Sequence, residues 1–208
     1  MSVKHCELSA SKMILLLLML IFFLETTHAQ LGITELKVTT PVRGAIWTTS
    51  QSKLTPDETQ WVRFSFFTGD LFSKNPIRPH LYIYLDGDIK AAASNMMAFN
   101  GRGIAIGPTP TCDEVSFEHF GGTTGLQNEH PGGCGFIGLA DYTTYHIRIH
   151  ASKTHVAYWI YSKEGKLLDS QSTYMPDVLY RQSTISLGVA FDYEESTYTI
   201  YDLHYGKF

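Results

Sequence analysis

The sequence predicts an all-β protein whose short antiparallel strands form a sandwich or a barrel. About ten apolar or alternating segments follow one another at intervals of roughly 8–15 residues, with turn residues between them. Aromatic residues make up 13% of the chain, and Tyr, Thr, Ile, Val and Phe favour strands. Only Ile89–Phe99, with its three consecutive alanines, fits a helix as well as a strand. Since no repeat or linker interrupts the pattern, we expect one domain.

The first 29 residues are predicted to be a signal peptide. The apolar run Met13–Leu24 follows two lysines and precedes the small residues Thr27 and Ala29. At about 12 residues the run is shorter than the ~20 that span a bilayer, so cleavage after Ala29 is favoured over an uncleaved anchor. We therefore expect a secreted, extracellular domain of residues 30–208 with no membrane span.

The N-terminal half of that domain is predicted to hold five strands. Ile33–Val38 and Trp61–Phe67 alternate apolar and polar residues and end at Thr-Thr-Pro and Thr-Gly-Asp. His80–Leu85 alternates aliphatic residues with tyrosines, and the Asp-Gly that follows tolerates the positive φ of a tight turn. Ile104–Ile106 and Glu114–His119 are short strands on either side of a proline-containing link.

The C-terminal half is predicted to hold five more strands. Thr143–His150 has the clearest alternation, and a Ser-Lys-Thr turn joins it to His155–Tyr161, so the two form a hairpin. Glu-Gly leads into Lys166–Ser170, and Thr184–Phe191 and Ser196–Tyr205 complete the chain. We expect the hairpin to lie at the centre of the sandwich, because one face of each of its strands is apolar.

Cys112 and Cys134 are predicted to form a disulfide. Cys6 leaves with the signal peptide, so an even pair remains in an oxidising compartment. The bridge would close a Gly-rich loop of about 22 residues and contribute roughly 3–4 kcal/mol in the chain-entropy model. Two buried free thiols are the alternative.

Charge and motifs exclude several classes of function. A net charge of −4 argues against nucleic-acid binding, which needs a basic surface. The chain has no phosphate-binding glycine loop, nucleophile elbow, His-Glu-x-x-His motif or dinucleotide fingerprint. The acidic segments 86–88 and 192–195 make structural calcium the one cofactor that the sequence suggests, and solvated turn acids are the alternative.

Glu114, Ser116 and Glu118 form the first candidate site. On a strand these residues share one face, while Val115 and Phe117 face the core. A pair of carboxylates on one face is compatible with a retaining glycosidase, although most charged strand faces are simply solvated.

The segment Glu114–Glu118 (EVSFE) resembles the catalytic strand of glycoside hydrolase family 16, whose pattern is E-[IL]-D-[FIL]-E. The resemblance implies Glu114 as nucleophile and Glu118 as general acid/base. Ser116 replaces the family's middle Asp, and a hydroxyl cannot hold a proton as a carboxylate does. We therefore expect hydrolysis to be low or absent.

Two further segments resemble family 16: Asp141–Ile147 is similar to the family's aromatic-x-Thr-Tyr strand start, and Val156–Tyr161 is similar to its back strand. The closing segments Leu187–Phe191 and Tyr198–Leu203 resemble the end of concanavalin A-like jelly rolls. This resemblance implies an antiparallel two-sheet jelly-roll sandwich of the concanavalin A-like kind, and it supports that superfamily better than the enzyme family.

His146, Arg148 and His150 form the second candidate site, since they share one face of a predicted strand. Two histidines four residues apart can contribute to a metal site, and with Arg148 they can bind an anionic polysaccharide. A polysaccharide lyase of the same fold would use Tyr, His and Arg to neutralise a uronate and remove its proton. A mixed polar face without function is the alternative.

Aromatic residues supply the third candidate site, because the apolar C–H faces of sugars stack on aromatic rings. Tyr82 and Tyr84 share one strand face, which we expect to be exposed if the alternate aliphatic residues of that strand face the core, and Trp159 and Tyr161 share another face. Single aromatics more often lie in cores. The predicted carbohydrate-binding residues are Trp47, Tyr82, Tyr84, His119, His146, Arg148 and Trp159.

Together these patterns favour a lectin-like protein that binds extracellular polysaccharide or glycoconjugate. The alternative is a glycan-cleaving enzyme, either a retaining β-glycosidase or transglycosylase using Glu114 and Glu118, or a lyase using His146 and Arg148. Ser116 in place of Asp favours binding over catalysis. A secreted interaction protein that shares the fold is a third possibility.

We predict that the intact secreted protein contains no free thiol, because Cys112 and Cys134 are the only cysteines left after signal cleavage. Alkylation without reduction followed by intact-mass measurement tests this, with a reduced sample as the control. Two alkylated cysteines in the unreduced protein would contradict the pairing.

Overall fold

The computed structural model describes residues 35–39, 44–50, 54–74, 81–85, 101–107, 114–120, 134–176, 184–189 and 197–208. Twelve strands and one helical turn lie within these ranges. The strands are β1 (Glu35–Thr39), β2 (Gly44–Ser50), β3 (Gln60–Phe67), β4 (Leu81–Leu85), β5 (Gly101–Ile106), β6 (Val115–Phe120), β7 (Cys134–Gly135), β8 (Thr144–Ala151), β9 (His155–Ser162), β10 (Leu167–Tyr174), β11 (Thr184–Val189) and β12 (Thr197–Lys207). The helical turn α1 is Leu71–Lys74.

The strands form two six-stranded sheets. The first sheet has the order β1-β12-β3-β8-β9-β10, and the second has the order β2-β11-β4-β5-β6-β7. Every pairing between neighbouring strands is antiparallel. Neighbouring strands are often distant in sequence, so the sandwich depends on long-range pairing. The predicted two-sheet antiparallel architecture is confirmed.

The core lies between the inner faces of the two sheets. Along β8 the buried and more exposed residues alternate strictly, as expected for a strand with one face against a core. Across the interface, the rings of Phe117 in β6 and Tyr158 in β9 have centroids 5.3 Å apart. The hairpin β8–β9 contributes Ile147, Ile149, Val156, Tyr158 and Ile160 to this core, as predicted.

The strand prediction missed three elements. It placed no strand at β2, no strand at β7 and no helical turn at α1. It also began the fifth predicted strand at Glu114, whereas the corresponding β6 begins at Val115 and Glu114 lies in a bend. The segment Ile89–Phe99 lies outside the described residues. Within the described ranges, no helix has the length and apolar composition needed to cross a bilayer.

A buried arginine links the two sheets. Arg102 of β5, in the second sheet, is almost fully buried and donates hydrogen bonds to backbone carbonyls at the edge of the first sheet. Its Nη2 lies 2.7 Å from the Ser152 oxygen in the β8–β9 turn, and its Nη1 donates to the Met175 oxygen just after β10. A buried guanidinium needs several acceptors, and these carbonyls supply them. Arg102 therefore fixes the β8–β9 turn to the second sheet.

The edges of the two sheets meet where β7 lies beside β10. Gln171 Nε2 of β10 donates to the Cys134 carbonyl of β7 at 2.9 Å, and the buried Tyr158 hydroxyl donates to Asp169 Oδ2 at 2.7 Å. Burial, followed by the neighbouring Asp169 carboxylate, raises the pKa of Tyr158. A Cβ at Gly135 would collide with the Tyr158 hydroxyl oxygen and with Asp169 Oδ2, so β7 needs a glycine there.

We predict that Ile147→Ala lowers the free energy of unfolding by about 2–5 kcal/mol, since it empties a core position that is 2% exposed. Chemical denaturation measures the change. Ser172→Ala, an exposed position on β10, is the control and is expected to change stability little. A loss below about 0.5 kcal/mol for Ile147→Ala would contradict the burial of this face.

Candidate functional site

A pocket of about 420 Å³ lies on the outer face of the first sheet. Four neighbouring strands supply its polar lining. These residues are Arg63 and Ser65 of β3, His146 and Arg148 of β8, Tyr161 of β9, and Asp202 and His204 of β12. Phe64 and Ile147 complete it. The pocket therefore exists only because these strands pair, although the residues are far apart in sequence.

Antiparallel register places the key side chains in rows across the sheet. Arg63 lies directly opposite Arg148 on one side and opposite His204 on the other. Arg148 in turn lies opposite Trp159 of β9. Side chains at directly opposed positions are about 4.5–5.5 Å apart at Cβ, so this row forms one continuous surface.

A bulge in β12 turns His204 toward the pocket. The buried positions along β12 change from even to odd numbers, from Ile200 to Leu203, and the pairing with β3 shifts between Tyr201 and His204. Asp202 lies within this irregularity and has a φ of 51°, in the left-handed region that Asp tolerates better than most residues. If the same sequence formed a regular strand with no bulge, alternation from Ile200 onward would direct His204 into the core.

Arg148 is held from two sides. Its Nε donates to His150 Nε2 at 2.7 Å, and its guanidinium carbon lies 5.8 Å from the centroid of the Trp159 ring. The edge of the His150 ring also packs against Trp159, with centroids 4.9 Å apart. Among the described residues, the terminal Nη groups of Arg148 have no hydrogen-bond partner. The arginine is therefore positioned while its two outer nitrogens remain available.

The support from His150 requires a neutral ring. Burial, followed by the charge of Arg148, lowers the pKa of His150 to about 4. Because the unfolded chain binds this proton more readily, stability associated with His150 is fully present above about pH 6.5 and is lost as the pH falls toward 4. Near neutral pH, His150 Nε2 thus remains an acceptor for Arg148.

His146 uses both of its ring nitrogens. Nδ1 lies 2.8 Å from the Ser65 hydroxyl, and Nε2 lies 3.3 Å from the carbonyl oxygen of Lys163. A carbonyl only accepts, so we assign the proton to Nε2 and the donor role in the other contact to Ser65. Neither nitrogen is left for a metal, and the described residues contain no group of three or more potential metal ligands.

Three of the predicted carbohydrate-binding residues come together at this pocket: His146 and Arg148 line it, and Trp159 supports Arg148. Sequence reasoning missed Arg63, Ser65, Asp202 and His204 as members of the site. Two features of the sequence could have indicated them. Arg63 is the charged residue among apolar neighbours in β3, and the apolar residues of β12 change from even-numbered to odd-numbered positions.

The tyrosines of β4 are not exposed. Tyr82 and Tyr84 stack with ring centroids 5.9 Å apart, but they are only 5% and 0% exposed, so the expected exposed aromatic row is wrong. Trp47 lies in β2 at the edge of the second sheet. The side chains of Trp47, Glu118 and His119 lie outside the part of the chain that the structure describes.

Glu114 anchors a chain segment and does not face a groove. Its carboxylate accepts hydrogen bonds from three successive backbone amides, those of Ile137, Gly138 (2.9 Å) and Leu139 (2.6 Å). The residue is 8% exposed, and Ser116 is fully buried. The expectation that Glu114 and Ser116 line an open strand face is therefore wrong, and the occupied oxygens of Glu114 do not suit a nucleophile.

Two further expectations fall outside the described residues. The acidic segments 86–88 and 192–195, the candidate calcium loops, are the first of them. Cys134 lies in β7, whereas Cys112 lies outside the described ranges, so the pairing of these cysteines stays a prediction.

No family model matches the chain, and no curated protein matches it in sequence. Solved structures do match its fold. A basic winged bean lectin with Tn-antigen aligns with a TM-score of 0.55 at 10% identity, covering 88% of this chain and 90% of the lectin. The exoplasmic/lumenal domain of VIP36, in its Ca²⁺/Man-bound form, aligns with a TM-score of 0.54 at 10% identity, covering 88% and 80%.

Lectin UEA-II complexed with galactose aligns with a TM-score of 0.50 at 8% identity, covering 87% of this chain and 86% of the lectin. All three are concanavalin A-like β-sandwiches. The chain therefore has the concanavalin A-like sandwich fold, as its sequence predicts. Identities this low show the fold alone.

We predict that Glu114→Gln lowers the free energy of unfolding by about 1–3 kcal/mol, because an amide offers only one acceptor oxygen where three N–H groups converge. Denaturant midpoints measure the change. Asp57→Asn makes the same chemical change at an exposed position and is the control. Equal stability of the two variants would contradict the anchoring role.

Proposed function

We propose that this protein is a secreted, lectin-like protein that binds extracellular glycan in the pocket on the outer face of the first sheet. The observation that carries the proposal is the pocket itself, where the Tyr161 ring lies among charged and polar side chains. Its volume of about 420 Å³ is within the range of roughly 300–1,000 Å³ typical of small-molecule sites.

The chemistry of the lining suits a sugar. The half-buried ring of Tyr161 offers an apolar surface on which pyranose C–H groups stack. Arg63 and Arg148 donate hydrogen bonds, Asp202 accepts them, and His204 can do either, so hydroxyl groups find partners of both kinds. A few polar groups around an apolar surface are typical of sites that fix the orientation of a ligand.

The structural neighbours support a carbohydrate-binding role without locating the site. The winged bean lectin is in complex with Tn-antigen, the VIP36 domain with mannose, and lectin UEA-II with galactose. Export is supported by the sequence of residues 1–29, whose apolar run and small residues fit a cleaved signal peptide. A lectin-like protein acting on extracellular glycan combines both lines of support.

We predict that Tyr161→Ala weakens glycan binding by about tenfold or more, while Tyr161→Phe, which keeps the ring, retains most of it. Wild-type protein is first screened on an array of neutral, uronate-containing and sulfated glycans. Titration calorimetry with the strongest ligand then compares the two variants.

The folding of both variants is checked by thermal denaturation. Equal binding by wild type and Tyr161→Ala would place the glycan elsewhere, and the absence of binding to every array glycan would contradict the proposal itself.

Polysaccharide lyase activity is a second candidate, favoured because Tyr161 and His204 share the pocket with two arginines. A lyase needs a base for the proton next to a uronate and a cation that neutralises the uronate. Since both nitrogens of His146 are engaged, His204 is better placed than His146 to exchange a proton. Ultraviolet absorbance of the unsaturated product from polyuronates distinguishes a lyase from a binding protein.

A family 16 hydrolase is less compatible with the geometry. Its nucleophile would be Glu114, whose carboxylate accepts three backbone hydrogen bonds and is nearly buried. The side chain of Glu118, the general acid/base in that comparison, lies outside the part of the chain that the structure describes.

A further inference from the structure

Two arginines occupy neighbouring positions in the lining of the pocket. Arg63 of β3 and Arg148 of β8 occupy directly opposed positions on neighbouring strands, and both are exposed. Like charges in opposed positions destabilise a sheet. His204 lies on the other side of Arg63, so no acidic residue separates the charges along this row. The fold therefore keeps an unfavourable concentration of positive charge at one place.

The described part of the protein does not neutralise this charge. Within it, neither Arg63 nor Arg148 forms an ion pair with a carboxylate. Asp202 lines the same pocket and is exposed, but it makes no ion pair with either guanidinium. The free nitrogens of the two arginines are thus directed to a surface that solvent fills when no ligand is present.

We propose that the Arg63–Arg148 pair binds an anionic substituent, a carboxylate or a sulfate, of the glycan. This inference rests on the proposed function and names the class of ligand. A guanidinium presents parallel N–H donors that match the oxygens of carboxylate and sulfate groups, and two facing guanidinium groups can hold one such anion from both sides.

Arg148 is prepared for this role before any ligand arrives. His150 holds its Nε, and Trp159 lies against its guanidinium, so a ligand need not restrict a freely moving side chain. Such preorganisation increases affinity because less conformational entropy is lost on binding. The two contacts leave the Nη nitrogens, the ones that would reach an anion, without protein partners in the described part of the chain.

The charge is local to the pocket. The whole chain carries a net charge of −4, which does not attract polyanions over long distances. Binding must then depend on contact with the arginine pair, and Asp202 adds an acceptor for a neighbouring hydroxyl. These features favour an acidic sugar within a glycan over a nucleic acid or a general polyanion.

The test begins with the array of neutral, uronate-containing and sulfated glycans. The strongest anionic ligand is then titrated against the secreted protein near physiological salt, together with its carboxyl-reduced or desulfated counterpart. We expect the neutral counterpart to bind about tenfold more weakly or worse. The array shows whether the anion is a carboxylate or a sulfate, and either supports the proposal.

Variants assign the effect to the pair. Arg63→Gln and Arg148→Gln should each weaken binding of the anionic glycan by about tenfold or more, and should weaken binding of its neutral counterpart, which makes only hydroxyl contacts with them, by a clearly smaller factor. Arg63→Lys keeps the charge but loses the planar fork and should fall between wild type and Arg63→Gln. Lys166→Gln removes the same charge from an exposed turn outside the pocket and should bind as wild type does.

The free protein offers an independent measurement. If the pair serves a ligand, Arg63→Gln should leave the melting temperature unchanged or raise it, because it removes a like-charge contact. A lower melting temperature in that variant would assign the pair a structural role and overturn the proposal.

The binding outcomes separate this inference from the proposed function. Equal binding of charged and neutral glycans, lost in Tyr161→Ala but not in the arginine variants, overturns the inference and leaves the proposed function standing. An equal loss in Lys166→Gln would show general electrostatic attraction and also overturn the inference. If no glycan binds, both proposals fail.

Discussion

One carboxylate fixes the crossing between the two sheets. The chain leaves the second sheet at β7 and enters the first sheet at β8, and the intervening backbone amides cannot join either ladder. Glu114 accepts three of them, at Ile137, Gly138 and Leu139. Backbone N–H groups without partners are costly when buried, so this single side chain replaces the hydrogen bonds that a strand would supply.

The next residues are fixed in the same way. Ala140 donates its amide to the Tyr145 hydroxyl, and the Asp141 carboxylate accepts the amides of Phe72 and Ser73 in α1. These contacts hold the segment where it enters β8, whose observed register pairs it with β3 and β9. That register places His146 and Arg148 on the outer face of the sheet, so the geometry of the pocket depends on hydrogen bonds made outside it.

The sequence predicted those features that depend on local alternation. The hairpin β8–β9, its core face and the outward position of His146 and Arg148 follow from a period of two within a few residues. The anchoring role of Glu114 did not follow, because its partners lie more than twenty positions further along the chain. An isolated motif around Glu114 fits a catalytic strand and a structural anchor equally well.

The rest of the site depends on which strands pair. The sequence of β3 alone shows Arg63 only as an outward residue. Arg63 becomes part of the site because β8 and β12 pair with β3 on either side of it. The burial of Tyr82 and Tyr84 could not be predicted for a related reason: alternation tells which residues share a face, but not what covers that face.

The bulge at Asp202 also constrains how this chain can change length. Deleting Asp202 would restore a regular ladder and keep the faces of all later positions, because the bulge holds the one extra residue: Leu203 and Tyr205 would still face the core and His204 would still face the pocket. A single-residue deletion further along the strand would instead exchange the faces of the positions that follow it. In an alignment of homologues, a one-residue gap at Asp202 would therefore mark sequences that keep the orientation of His204, and a one-residue gap later in β12 would mark sequences whose final positions have exchanged faces.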